Sequence, residues 1–125
     1  MYRVSVDDGP SIHVQARSRS MSFAVDGSAM NPLEAFYATL AGCAAVYVKK
    51  ACQSLGMPAE GIQINCRPRA GKAGPLSLER FDTELAFPEV FPGEHKAAVI
   101  DAVKHCAVKE VVQNGAAVEF NCREA

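Results

Sequence analysis

The sequence lacks the features that mark exported, membrane-bound or nucleic-acid-binding proteins. Its first residues, 1–8, contain no apolar segment of the kind a signal peptide requires. The longest nearly apolar run, Ala35 to Val48, is well short of the roughly 20 residues that span a bilayer. With a net charge of -1, the chain also lacks the cationic surface that phosphate backbones require. We therefore predict a cytoplasmic protein with no membrane and no nucleic acid among its main partners.

Ligand patterns for a structural metal are lacking as well. The five cysteines are an odd number, so internal disulfides cannot pair them all. None of them forms a CxxC pair, and the three histidines do not have zinc-finger spacing. We expect no bound metal and no bound cofactor. Cysteines in such a chain are usually small buried hydrophobic residues, and we interpret Cys52, Cys66 and Cys122 in this way.

What is present is an ordinary globular composition, with 49% hydrophobic and 22% charged residues in 125. This length predicts one domain over residues 1–125. Hydrophobic alternation predicts strands, the first three of them in an antiparallel meander, and helical periodicity predicts two helices. A segment rich in glycine, proline and cations, 67–75, is predicted as a loop. The predicted strands are 2–6, 12–16, 22–25, 62–66, 76–87 and 118–122, and the helices are 31–55 and 94–113. This order predicts an α+β fold.

The first helix has clear boundary signals. Asn31 suits the N-cap, Pro32 the first helical position, and Glu34 the third. Gly56 is a natural stop at the other end. Because this helix is apolar on nearly all sides, it has to be covered on most of them. That need favours a partner subunit.

The segment Asn31 to Cys43 resembles the hallmark of the OsmC/Ohr family, in which Asn-Pro or Ser-Pro is followed by acidic and apolar residues and then by a cysteine on a long helix. His105-Cys106 is similar to the position of the family's second cysteine on a later helix. The resemblance implies an OsmC-like fold, with antiparallel sheets wrapped around a long central helix in an intertwined homodimer. It also implies two active sites at the dimer interface.

The chemistry implied by the resemblance is that of a thiol-dependent hydroperoxide reductase, a peroxidase of oxidative-stress defence. Cys43 and Cys106 would be its catalytic residues. Cys43 would reduce a hydroperoxide and become a sulfenic acid, which would then form a disulfide with Cys106. A dithiol co-substrate, such as the lipoyl group of a protein reductant, would restore both thiols.

A reactive thiol has to be ionised, and burial of Cys43 in an apolar helix would oppose this. The family supplies an arginine held by an acidic residue. Arg17 and Arg19 are the candidates: they lie two apart on the extended segment expected between the second and third strands, and therefore on one strand face. The sequence does not choose between them, and the alternative is that both are solvated. Glu34 is the candidate acid, although the family's peroxidase branch has its acid directly after the proline, where this chain has Leu33. A helix-capping role is the alternative for Glu34.

Two further alternatives remain open. The family commonly has Cys-Pro at the second cysteine, whereas this chain has Cys106-Ala107, so the helix can run straight through and leave Cys106 as a core residue. An apolar helix face could line a peroxide pocket or belong to a dimer core: Phe36, Tyr37, Leu40 and Tyr47. The alternative function is a non-enzymatic redox-sensing or small-ligand-binding protein on the same scaffold.

Overall fold

The computed structural model describes residues 1–123, and it has the predicted α+β composition. In chain order the elements are β1 (Arg3–Val4), β2 (Ser11–Ala16), β3 (Arg19–Ala24), α1 (Pro32–Leu55), β4 (Gln63–Gly71), β5 (Gly74–Ala86), α2 (Gly93–Val103) and α3 (Ala107–Asn114). None of the helices within residues 1–123 is long and apolar enough to cross a membrane. The chain divides into two compact units, one formed by residues 1–39 and 66–82 and the other by residues 40–65 and the segment from Thr83 onward.

The first unit contains the predicted antiparallel meander, with strand order β1-β2-β3. Ala16 pairs with Arg19, so Arg17 and Ser18 form a two-residue hairpin loop. Arg17 has a φ of 57°, in the left-handed region. The prediction that Arg17 and Arg19 share a strand face is therefore wrong, because the chain already turns at Arg17.

Helix α1 begins and ends where its boundary signals predict. The Asn31 side-chain oxygen accepts a hydrogen bond from the backbone N–H of Glu34 at 2.9 Å, which is the N-cap bond. At the other end Gly56 has a φ of 68°. The N–H groups of Gly56 and Met57 donate to the carbonyls of Gln53 and Cys52, so a Schellman motif closes the helix.

Strands β4 and β5 form a two-stranded hairpin that replaces the loop predicted over 67–75. Both strands are edge strands, so prolines within them are tolerated. Arg69 donates to the Asp82 carboxylate at 2.7 Å, which ties the cationic segment to the opposite strand. At Gly71 an added Cβ would lie 3.2 Å from the Ser77 carbonyl oxygen, so glycine permits the close approach of the strands. The cations and glycines of 67–75 therefore belong to an exposed β-hairpin rather than to a loop.

The second unit holds the main hydrophobic core. Val48 and Cys52 of α1 pack with Phe91 and with Val99 of α2, and all four are buried. The Phe87 and Phe91 rings pack at 4.9 Å between centroids. This core fixes the face of α1 that carries Cys52.

Two other predictions for the C-terminal third are wrong. The helix predicted over 94–113 is broken, because Cys106 has an extended backbone (φ -58°, ψ 130°) between α2 and α3. The Lys109 ammonium donates to the free carbonyl of Lys104 at 3.0 Å and so stabilises the break. The strand predicted over 118–122 is not formed: residues 115–123 have no regular secondary structure, and Cys122 is exposed. Alternating apolar residues make a strand only where a neighbouring strand can pair with them.

Candidate functional site

The two cysteines singled out from the sequence meet in the second unit. Cys43 lies in the middle of α1 and is half-buried, whereas Cys106 is only 2% exposed at the N-cap of α3. Their thiols are hydrogen-bonded to each other. Residues more than 60 positions apart in the sequence are therefore brought together within the second unit.

The first turn of α3 directs its free backbone N–H groups at this pair of sulfurs. The N–H groups of Ala107 and Val108 act to lower the pKa of Cys43, and those of Val108 and Lys109 act to lower the pKa of Cys106. Such groups have no partner within their own helix, and they carry the positive end of the helix dipole. The start of α3 is therefore suited to a negatively charged sulfur.

Opposing effects act on the Cys43 thiol. Burial raises its pKa, while hydrogen bonds from the Cys106 thiol and from the N–H groups of α3 lower it. The ammonium of Lys50 lowers it further. The stabilising interactions prevail, so the pKa of Cys43 lies below the ordinary value of a thiol.

The Cys106 thiol is shifted the other way. Burial raises its pKa, and so do its hydrogen bond to Cys43 and the negative charge that Cys43 carries when ionised. The N–H groups of Lys109 and Val108 only partly offset this rise. Of the two thiols, Cys43 is therefore the one that ionises first.

Two contributions to this site were not predicted from the sequence. The backbone donors of α3 were missed because the helix was expected to run through Cys106. Lys50 was not among the predicted site residues. Its spacing from Cys43 was nevertheless a usable signal, since residues seven apart on a helix share a face.

The other predicted site residues belong to the first unit. Arg17 is exposed in the hairpin loop, Arg19 is exposed at the start of β3, and Glu34 is exposed in the first turn of α1. The roles proposed for them beside Cys43 stay predictions. Within the unit that contains the two thiols, the cation that acts on Cys43 is Lys50.

The remaining cysteines have different environments. Cys52 is 1% exposed within the core, as expected for a packing residue, and burial raises its pKa. Cys66 is half-buried in β4. Among residues 1–123, no group of three or more histidine, cysteine or acidic side chains is arranged to hold a metal ion.

The aromatic residues of the predicted peroxide-binding face divide between the two units. Phe36 and Tyr37 contact each other edge-on, and Tyr37 packs against Phe81 of β5, all within the first unit. Tyr47 lies one helical turn after Cys43, and its ring carries the Lys50 ammonium at 5.1 Å from the centroid. Of the three aromatic residues of this face, Tyr47 is therefore the one that lies in the same unit as the thiol pair.

An α+β fold with two contacting cysteines at a helix N-terminus defines a class of thiol proteins, and comparisons with known proteins identify the family. The OsmC-like protein family matches residues 25–121. The chain belongs to this family. A comparison with curated protein sequences gave no match.

Solved structures of the family have the same fold. An OsmC-like protein from Mycoplasma pneumoniae superposes with a TM-score of 0.70 at 12% identity, covering 90% of this chain and 86% of that one. An organic hydroperoxide resistance protein OsmC from Legionella pneumophila gives 0.57 at 17% identity, covering 90% and 89%. The organic hydroperoxide resistance protein OhrB of Bacillus subtilis gives 0.52 at 13% identity, covering 91% and 92%. At these identities the likeness is one of fold.

Proposed function

We propose that this protein is a thiol-dependent hydroperoxide reductase in which Cys43 is the peroxide-reacting cysteine and Cys106 the resolving cysteine. One observation carries the proposal: the two thiols are in contact, and the backbone donors of α3 favour ionisation of Cys43 in particular. A thiolate is the form that attacks peroxides. Two family members of similar fold are named for organic hydroperoxide resistance, which supports an organic hydroperoxide as substrate.

In the first step the Cys43 thiolate attacks the terminal peroxide oxygen. The sulfur–oxygen bond forms while the oxygen–oxygen bond breaks, and the alkoxide that leaves takes a proton to become an alcohol. Cys43 is oxidised to a sulfenic acid and the peroxide is reduced. The N–H groups of Ala107 and Val108 favour the Cys43 thiolate from which this step starts.

In the second step Cys106 attacks the sulfenic sulfur. Oxidation of Cys43 removes the negative charge that raised the pKa of Cys106, and the Val108 N–H that the two sulfurs share is then available to Cys106. Cys106 loses its proton, the disulfide forms, and hydroxide leaves and is protonated to water. Because hydrogen-bonded sulfurs have only a short distance to close to the roughly 2 Å disulfide bond, little backbone movement is required.

The disulfide has to be reduced by an outside dithiol. A dithiol restores both cysteines by exchange and closes into its own disulfide, so that two electrons are transferred without a long-lived mixed intermediate. We infer a lipoyl-type dithiol, carried by a protein reductant, as the co-substrate.

The protein is expected to act as a homodimer. Among residues 1–123, every buried hydrophobic residue except Ala24 belongs to the second unit, whereas the first unit exposes many large apolar side chains. These include Tyr2, Val4, Val6, Met21, Val25, Met30, Leu33, Phe36 and Leu76. A unit with so small a core requires cover to be stable, and a second copy of the chain is the partner that family membership favours.

Thiol counting after peroxide addition tests the proposal. Reduced protein is mixed with one equivalent of cumene hydroperoxide, and free thiols are titrated in the wild type, Cys43→Ser, Cys106→Ser and the control Cys122→Ser, which alters an exposed cysteine. We expect rapid loss of two thiols in the wild type and the control, and no loss in Cys43→Ser. In Cys106→Ser a sulfenic acid should persist on Cys43 and be trapped by dimedone.

Turnover provides the second part of the test. Dithiothreitol and dihydrolipoamide should sustain peroxide consumption, and 2-mercaptoethanol should not. Oxidation that needs a large excess of peroxide, or that is unchanged in Cys43→Ser, would instead indicate the redox-sensing or ligand-binding alternative.

A further inference from the structure

We propose that Lys50 supplies a positive charge that favours the thiolate form of Cys43, with the Tyr47 ring as the positioning group for its ammonium. The inference deepens the proposed function, on which it rests, by assigning the activating cation to the same helix as the reacting thiol. The resemblance to the OsmC/Ohr family predicted an arginine from the N-terminal strands for this task.

Helical geometry places the three side chains in one row. Tyr47 is four residues after Cys43 and Lys50 seven after it, so all three lie within an arc of about 60° on one face of α1. The Cα atoms of Cys43 and Lys50 are separated by roughly 10 Å along the helix axis. Long helical side chains point back toward the N-terminus, so the Lys50 side chain extends toward Cys43 rather than away from it.

Tyr47 lies between Cys43 and Lys50 along the helix, and its ring contacts the Lys50 ammonium. The Lys50 nitrogen is 5.1 Å from the ring centroid, within the range of a cation–π contact. Tyr47 is half-buried, whereas Lys50 is exposed. A flexible exposed lysine is thus held over a fixed ring one turn from the thiol, and its charge lowers the pKa of Cys43.

The lysines at and just before the start of α3 have other partners. The Lys109 ammonium donates to the Lys104 carbonyl at 3.0 Å and lies 3.9 Å from the Glu110 carboxylate. Lys104 is paired with Asp101 at 4.0 Å. His105 is exposed, and the titratable group in direct contact with Cys43 is the Cys106 thiol. Lys50 is therefore the cation whose removal should change the ionisation of Cys43.

The experiment is a pH–rate profile of iodoacetamide alkylation at Cys43, followed by peptide mass spectrometry on the full-length reduced protein. Trypsin cleaves after Lys49 and Lys104, so Cys43 and Cys106 fall in different peptides. The variants are Lys50→Met, the conservative Lys50→Arg, and the matched control Lys49→Met, which removes an exposed charge from another face of α1. Tyr47→Leu and Tyr47→Phe test the ring, and Arg17→Gln and Arg19→Gln test the arginines predicted from the family.

For Lys50→Met we expect the profile to move to higher pH and the thiolate population at neutral pH to fall about two- to fivefold, the range of a single exposed charge interaction. The difference from the wild type should shrink when ionic strength is raised from about 0.01 M to about 0.5 M, because salt screens exposed charges. Lys50→Arg and Tyr47→Phe should keep the wild-type profile, Tyr47→Leu should move it part of the way, and Lys49→Met should leave it unchanged.

A Lys50→Met profile that superimposes on the wild type would overturn the inference, as would an equal shift in Lys49→Met. A shift produced by Arg17→Gln or Arg19→Gln alone would assign the role to that arginine instead. Failure of the proposed function is separately visible: the wild type would then leave cumene hydroperoxide unreduced, whatever the profile of Lys50→Met.

Discussion

Cys43 and Cys52 are the same residue type on the same helix, nine positions apart, yet the structure gives them opposite environments. Cys52 faces the hydrophobic core, where it is 1% exposed and where burial alone raises its pKa. Cys43 faces the start of α3, where backbone donors, a second thiol and Lys50 lower its pKa despite burial. The comparison teaches that a thiol becomes reactive through the donors that face it, and that an apolar helix can hold an inert cysteine and an ionisable one on opposite faces.

The largest expected difference between the two thiols is in their alkylation rates. At neutral pH Cys43 should react with iodoacetamide at least about a hundredfold faster than Cys52, because Cys52 must wait for opening of the core. Peptide mass spectrometry on protein sampled over time measures both rates. In 6 M guanidinium chloride the two rates should converge. Comparable rates in the folded protein would contradict the difference in environment between Cys43 and Cys52.

Substitution by serine should separate the two positions in stability. Cys52→Ser buries a hydroxyl in an apolar core and should lower the free energy of unfolding by about 1–3 kcal/mol. Cys43→Ser, at a half-buried position with polar neighbours, should change it by less than about 0.5 kcal/mol. Urea unfolding followed by far-ultraviolet circular dichroism measures both. Equal losses would mean that the Cys43 side of α1 is packed as tightly as its core side.

The substitution Ala107→Pro tests the contribution of a backbone N–H group of α3 to the ionisation of Cys43. Cys106 already has the extended backbone that a following proline requires, and proline is tolerated at the first position of α3. Proline at this position contributes about 0.4–1 kcal/mol through the unfolded chain, and loss of the Ala107 N–H offsets part of it, so the free energy of unfolding should change by less than about 1 kcal/mol. Because the substitution removes the Ala107 N–H, which lowers the pKa of Cys43, that pKa should rise.

Absorbance of the thiolate at 240 nm, titrated against pH, measures that second effect. Ala107→Ser, which keeps the N–H, is the matched control and should leave the titration of Cys43 unchanged. A folded Ala107→Pro protein with an unaltered Cys43 titration would show that the Ala107 N–H of α3 does not lower the pKa of Cys43.

The smallest expected effect is the pH dependence of stability. Because the pKa of Cys43 is lower in the folded protein than in the unfolded chain, its ionisation stabilises the fold fully above the unfolded pKa of about 8.5 and less as pH falls through the folded pKa. Cys52 and Cys106, whose pKa values are raised, act in the opposite direction at higher pH. The difference in unfolding free energy between the wild type and Cys43→Ser should therefore grow from pH 6 to pH 8.5. A difference that stays flat or shrinks over this range would contradict a lowered pKa.

Much of the fold was predictable because it depends on local signals. The caps of α1 at Asn31 and Gly56 and the alternation of β2 are read directly from neighbouring residues, and the structure confirms both. The break at Cys106 was not predictable, since no proline or glycine marks it and the helical periodicity continues across it. The hairpin at 67–75 was missed because its cations are held by cross-strand contacts such as Arg69 with Asp82.

The same distinction applies to the candidate site. Cys43 and Cys106 were selected through the family resemblance, and the structure places them in contact. Every residue except proline has a backbone N–H group, so residue types could not identify the donors around these two cysteines. Lys50 was recognisable only once the face of α1 that carries Cys43 was known.

The most direct test of the central claim is to identify the bond formed after a single oxidation. Reduced protein treated with one equivalent of cumene hydroperoxide should have an intact mass about 2 Da lower before alkylation, as expected for one disulfide. After alkylation and tryptic digestion the same sample should yield a Cys43–Cys106 linked peptide. A sulfinic acid on Cys43 without that linked peptide, or a disulfide that joins Cys43 to any other cysteine, would contradict the claim that these two sulfurs form one redox pair.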